Sequence, residues 1–438
     1  MKKFVTPITA LLLFTGFAKA QETVYPTKEY KGQLFITNGT VHVGNGQVLE
    51  NATIEVNNGK IVRVGTDIPV SQNNAKLIDA KGKQVYPGLI LPSCDLGLKE
   101  IANGVRGSND YYELGDYNPS VRSIVAYNTD SKITGTLRAN GILLASITPE
   151  GGVISGSSSV VQLDAWNWED AAYKMDGGIH LNLPSFLPRP TGRRAFFFPG
   201  APQPADPVKQ ALDKVDEIKT FFREAKAYEQ ETTHKQTNLK LEAVKGLFNK
   251  TQKLFVHGDQ VKQMLVAIDF VKEFGFDVVI VGGSESYQIA NLLKQNNIAV
   301  ILGSEHELPS MEDDDIDQPF KTPAVLQKAG VLFALNDAFT EARYRNLSFN
   351  AGTAATYGLS KEQALQAITM NTAKILGIDD RTGSLEAGKD ANIVVCDGDI
   401  LDMKSSNVSH AIIQGRDVSL DNKQKQLYER YRYKYGIQ

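Results

Sequence analysis

From residue 254 onward, short β-branched runs alternate with helix-periodic segments, and this rhythm constrains the chain more than any other feature. LFVHG (254–258) precedes the amphipathic QVKQMLVAIDFVKEFG, DVVIVGG (277–283) precedes SYQIANLLKQN, IAVILGS (298–304) follows, and TPAVLQKAG leads into VLFALND (331–337). Parallel neighbours need a crossover of a dozen or more residues, usually a helix. A long series of such units predicts a closed (β/α)8 barrel of the TIM type. Earlier strands are expected in VYPGLIL and in GILLASIT (141–148). Residues at the C-terminal strand ends then face the active site. They are Ser93, Cys94, Asp95, Thr148, Glu150, His257, Gly282, Gly283, Ser304, Glu305, Asn336 and Asp337.

The two ends of the chain have a different texture. Apolar and polar residues alternate from Leu34 to Gly65 between Asn-Gly pairs at 38–39, 45–46 and 58–59, and similar alternation returns in Gly383–Asp399 and His410–Leu420. Such patterning predicts short antiparallel strands and hairpins. The expected organisation is one small β-sandwich built from 32–86 and 383–422, with the barrel (87–382) inserted. NDYYELGDYNPSVRS (109–123) and the Pro-rich 181–207 read as long loops over the barrel mouth. The aromatics of AWNWEDAAY and RRAFFFPG are candidates for a substrate pocket or for loop packing. Charged, helix-periodic 207–252 is expected as a solvated helical excursion. The glycine-rich EGGVISGSSS (150–159) lacks the Lys of a phosphate loop and does not lead into a helix, which argues against nucleotide binding.

MKKFVTPITALLLFTGFAKAQ combines Lys2 and Lys3, an apolar stretch and small residues at Ala18 and Ala20, which is the pattern of a secretory signal peptide (1–20) cut after Ala20. Its removal takes Lys2, Lys3 and Lys19, so the formal net charge of −3 becomes −6. No basic face remains to suggest nucleic acid. Gln21 rather than Cys follows the cut, so no lipid or other membrane anchor is expected, and the location read from the sequence is periplasmic or secreted. Cys94 and Cys396 are too few for a disulfide scaffold.

Taken together, the split β domain, the PGLI strand, the VHG strand, the terminal ND and the tail GLSKEQALQAITMNTAKILGIDDRTGSLEAGKDANIVV (358–395) resemble the amidohydrolase superfamily of metal-dependent hydrolases. The stretch from YNPSVRS to VVQLDAW is similar to its imidazolonepropionase-like secreted branch. Within the tail, Ser360 and Gln363 form an S-x-x-Q capping box, and Leu365, Ile368, Ala373 and Leu376 make a helical stripe that Gly377 ends. The resemblance implies one or two divalent metals at the strand ends. The implied ligands are an H-x-H after the first strand, histidines after strands five and six, and an aspartate after strand eight. A bound metal of this kind lowers the pKa of its water.

This chain departs from that pattern. Leu91 stands where an aspartate is usual, Ser93 and Asp95 stand for the two histidines, and Gly282 replaces the strand-six histidine. His257 and Asp337 remain, and with Asp95 they make the candidate metal set, Asp337 doubling as catalytic base. His42, His180, His234, His306 and His410 supply no H-x-H or H-x-x-x-H pair. Loss of imidazoles lowers affinity and selectivity for zinc, so the expected cofactor is one divalent metal, zinc first, or none. Cys94 has no histidine in its segment to activate it and reads as a small buried thiol; Cys396 reads as core. Two functions follow from the resemblance. One is a hydrolase of non-peptide carbon–nitrogen bonds in a small amide or cyclic amide; the other is an inactive relative that binds a small molecule or serves as a partner subunit. A homo-oligomer, or a heteromer with an intact paralogue, accompanies either.

Overall fold

The computed structural model describes residues 25–71, 75–101, 109–187, 206–231, 233–309, 313–337 and 342–437; the expected signal peptide and RRAFFFPG lie outside them. The N-terminal segment supplies β1 (Gln33–His42), β2 (Val48–Asn57), β3 (Lys60–Gly65), β4 (Lys76–Asp79) and β5 (Gln84–Pro87). Asn58 and Gly59 hold φ of +48° and +76° between β2 and β3. A two-residue hairpin of the favoured twist needs positive φ at both positions, which is why Asn-Gly recurs there.

The barrel strands are β6 (Leu89–Cys94), β7 (Ile142–Ile147), β8 (Ile154–Gln162), β9 (Ala172–Asn182), β10 (Lys253–Gly258), β11 (Val278–Gly282), β12 (Ala299–Leu302) and β13 (Phe333–Leu335), paired in that order. VYPGLIL is therefore divided at Gly88: its first half ends the terminal sheet and its second half begins the barrel. β14 (Ile393–Cys396), β15 (Val408–Ile413) and β16 (Arg416–Val418) return to that first sheet, where β14 pairs antiparallel with β5. The termini thus build one eight-stranded sheet, with β4 branching from β1. Leu34, Ile36, Ile54, Val85, Ile393 and Ile412 are buried together in its own core.

Three details differ from the sequence expectation. EGGVISGSSS, in which no strand is expected above, runs into one: Ile154–Gln162 is β8, which runs antiparallel to both β7 and β9. Nine consecutive buried residues, most of them small, let it lie between two covering layers, and a Gly-Ser-rich run hid it from a reading based on β-branched residues. The 207–252 excursion is only partly solvated. Its helix Pro207–Gln230 buries Ala211, Val215, Ile218, Phe222 and Ala225, a three-four spacing that makes one apolar face. Phe222 packs among Phe270, Phe274 and Phe276, and a fully buried Phe contributes about 1.5–3 kcal/mol.

The third detail concerns the tail, which is two helices, Lys361–Ala367 and Met370–Leu376. The capping box is present, with Ser360 N–H donating to Gln363 Oε1 at 2.9 Å and Gln363 N–H to Ser360 Oγ at 3.2 Å. Gly377 ends the second helix at φ +66°. The break at Ile368 frees its carbonyl, which accepts from Ile90 N–H at 3.0 Å. β6 and β13, the ends of the barrel ladder, meet across this seam, where Asn336 Nδ2 donates to Ser93 O at 2.9 Å.

Candidate functional site

At the C-terminal ends of the parallel strands lies a cavity of about 680 Å³. Ser93, Cys94 and Asp95 reach it from β6 and the residue that follows, Thr148 and Glu150 from the β7–β8 turn, and Asn182 and His257 from β9 and β10. Asn336 lines it at the end of β13, whereas Asp337 is not among the lining residues.

Each of the three candidate metal ligands is held by another side chain. Asp95 accepts a hydrogen bond from the Tyr344 hydroxyl and is paired with Lys99 at 3.5 Å. Asp337 is 0% exposed and forms an ion pair with Arg343, whose Nε lies 3.0 Å from Oδ1. Burial still pushes its carboxyl above the ordinary range, against the pull of Arg343. His257 Nε2 lies 2.8 Å from His180 Nδ1. Burial lowers His257 to about 4 and, with His257 beside it, takes His180 well below the usual imidazole range. The pair is therefore neutral at pH 7, one ring donating to the other. His180 also stacks on Phe255, with ring centroids 4.9 Å apart.

These donors do not fit a metal. Among the described residues no three His, Cys, Asp or Glu side chains converge on a point that could hold one. Gly282, at the strand-six position, is shaped for glycine. Its φ is +103°, and a Cβ there would stand 2.7 Å from Asp259 Oδ1, so a histidine would demand a different backbone. Hydroxyl and amide groups line much of the cavity, beside the carboxylates of Asp95, Glu150 and Asp259. Ser93 and Thr148 hydroxyls are 3.2 Å apart, and Asn182 donates to Ser155 Oγ at 2.9 Å and to Gly152 O at 3.1 Å.

Cys94 behaves as a structural thiol. It is buried, donates to Ser146 O at 3.4 Å, and burial pushes its pKa far above the thiolate range. Cys396 is likewise free and buried, so the two are not bonded to each other. AWNWEDAAY contributes to no mouth wall: Asn167 caps the short helix Trp168–Ala171, which runs straight into β9.

His180, Arg343 and Tyr344 escape sequence reasoning. His180 is linked to His257 only through the β9–β10 register, in which it faces Phe255. Arg343 and Tyr344 follow β13, where an ARYRN run offers no spacing motif, though charge next to a buried Asp is a signal of sorts. Glu305, one of the strand-end candidates, is 2% exposed, and neither of its carboxyl oxygens has a hydrogen-bond partner. Burial, then the neighbouring Asp337, raises its pKa well above the ordinary value. An acid whose folded pKa exceeds its unfolded one makes the native state lose stability as pH rises from the unfolded value through the folded one. Glu305→Gln is accordingly expected to melt with the parent near pH 4 and above it at pH 8. Melting curves across that range check this; parallel curves would show that Glu305 ionises freely.

A barrel with its mouth at the strand ends and a companion sheet shared by both termini is an architecture that solved amidohydrolase structures also have. The Amidohydrolase family profile matches residues 242–418. An imidazolonepropionase of Picrophilus torridus is 31% identical over 170 residues, 38% of this chain and 40% of that protein. One of Thermoplasma volcanium is 35% identical over 86 residues, covering 19% and 21%. The chain therefore spans less than half the length of these curated relatives in its matches. An amidohydrolase structure from Thermotoga maritima is similar across 88% of this chain and 99% of its own, with a TM-score of 0.75 and 27% identity. The chain is thus similar to the amidohydrolase superfamily, in sequence over residues 242–418 and in fold across most of its length.

Proposed function

We propose that this protein binds a small amide or cyclic amide in the barrel mouth, as a degenerate amidohydrolase that has lost metal-dependent cleavage and serves as a ligand-binding or partner subunit. The observation that carries this is the occupation of every candidate donor: His257 by His180, Asp95 by Tyr344 and Lys99, and Asp337 by Arg343. Similarity to the superfamily supports the ligand class, and the hydroxyl and amide groups that line much of the cavity support a polar molecule. The composition of residues 1–20 supports a periplasmic or secreted location; no helix among the described residues is long and apolar enough to cross a membrane. A homo-oligomer, or a heteromer with an intact paralogue, is the form of assembly that would supply the missing chemistry.

A second reading, a hydrolase of non-peptide carbon–nitrogen bonds with at most one divalent metal, rests on similarity to the family. Zinc is the metal that a mixed imidazole and carboxylate set would favour. Metal analysis of protein purified without chelators, together with turnover of a panel of small amides, separates the two. The expected result is substoichiometric zinc, manganese and iron and no turnover. Stoichiometric metal that disappears in both His257→Ala and Asp337→Ala would establish the hydrolase instead.

A further inference from the structure

A second cavity, of about 180 Å³, adjoins the mouth; Asp259, Gly282, Leu302 and Gly303 line both. Its wall includes the acidic residues Asp259, Glu305, Glu307 and Asp314 and, among the described residues, no Lys, Arg or His. Acidic clusters are ordinarily solvated surface. This one differs because Glu305 is buried and both of its carboxyl oxygens lack a hydrogen-bond partner. Leaving a buried polar group unsatisfied costs roughly 1–3 kcal/mol, and a bound donor removes that cost. Arg343, which donates to Ser304 in the same wall, is already engaged by Asp337.

The sign and type of the ligand follow from these groups. Four acidic residues face one cation, Arg343, which acts on Glu307 from beside Ser304, and this balance favours a positively charged ligand. Since no three of the described carboxylates converge on a point, a singly charged organic cation suits the pocket better than a metal ion. Leu302, Leu308, Pro309 and Pro319 add apolar surface for a short hydrocarbon. We propose that this side pocket binds a protonated primary amine on a short alkyl arm, with Glu305 as its buried acceptor and the exposed Glu307 at its open side. The proposal goes beyond the mouth-ligand reading and holds whether or not the mouth takes an amide.

Calorimetric titration of the full mature chain with n-butylammonium, 1-butanol and butyrate reads the side pocket, while pentanamide titrated in parallel reads the mouth. Butylammonium is expected to bind at least about tenfold more tightly than butanol, a difference of about 1.4 kcal/mol, and butyrate not to bind. Glu305→Gln should weaken butylammonium about tenfold and leave pentanamide unaffected. Glu307→Gln, at an exposed position, should weaken it less and keeps the test decisive if the buried variant fails to fold. Butylammonium that binds no better than butanol, or equally well to Glu305→Gln, overturns the pocket; pentanamide that fails to bind counts only against the mouth reading.

Discussion

Arg343→Met should cost about 3 kcal/mol of stability at pH 8, measured by urea denaturation, and much less at pH 4. Asp337 has no exposed surface, and Arg343 Nε, at 3.0 Å, is the cation that compensates its charge. Removing one partner of a buried ion pair typically costs 3–5 kcal/mol, because the remaining charge stays desolvated. The arginine side chain is a quarter exposed, so water can enter where it leaves, and the lower end of that range applies. The pH dependence follows from the carboxyl. Burial already raises its pKa with Arg343 present. Without Arg343 the pKa rises further, and ionisation then opposes folding as pH climbs through and above the unfolded carboxylate range. Below that range Asp337 is neutral in both states and the deficit closes. The double variant Arg343→Met, Asp337→Asn should recover most of the loss. Equal stability of Arg343→Met and the parent at pH 8 would mean that the pair does not form.

Gly178→Val is the second large effect, and it acts on shape rather than charge. Gly178 sits on β9 under the Phe255 ring: a Cβ added there would be 2.3 Å from Cε2 and 2.4 Å from Cδ2, with Ser158 Oγ at 3.2 Å. Valine is the better strand former, by less than about 1 kcal/mol. Overpacking a filled core costs about 1–3 kcal/mol, occasionally more. Here the displaced ring is itself buried, and the clash wins. Phe255 also stacks on His180, so the imidazole pair should separate as the ring moves. A melting temperature lowered by several degrees together with shifted histidine ring resonances is the expected result. An unchanged melting temperature would place Phe255 away from Gly178.

The sequence was most informative where local periodicity and burial agreed. β10 to β13 and the terminal hairpins announce themselves because β-branched runs and Asn-Gly turns have a direct local cause. The capped tail was legible for the same reason. β8 was not, since its inward-facing serines and glycine earn their place through packing between β7 and β9, which no local pattern reveals. At the mouth, absence was easier to read than replacement. Ser93, Asp95 and Gly282 read as departures from a metal-binding pattern, and His257 and Asp337 as the positions that keep it. That Asn336 rather than Asp337 would line the cavity, and that His180, Tyr344 and Arg343 would take up the remaining donors, depends on strand register and on a loop.

The antiparallel course of β8 also bears on how the chain finds its fold. β7, β8 and β9 pair through short connections, so three of the eight barrel strands join through contacts close in sequence, without waiting for helical crossovers. The terminal sheet is the opposite case: β5 meets β14 only after some three hundred intervening residues are in place, as Val85 beside Val395 shows. Closure entropy grows with the span to be closed, and nonlocal pairings slow folding. On these grounds the meander is expected to form early and the companion sheet to close late.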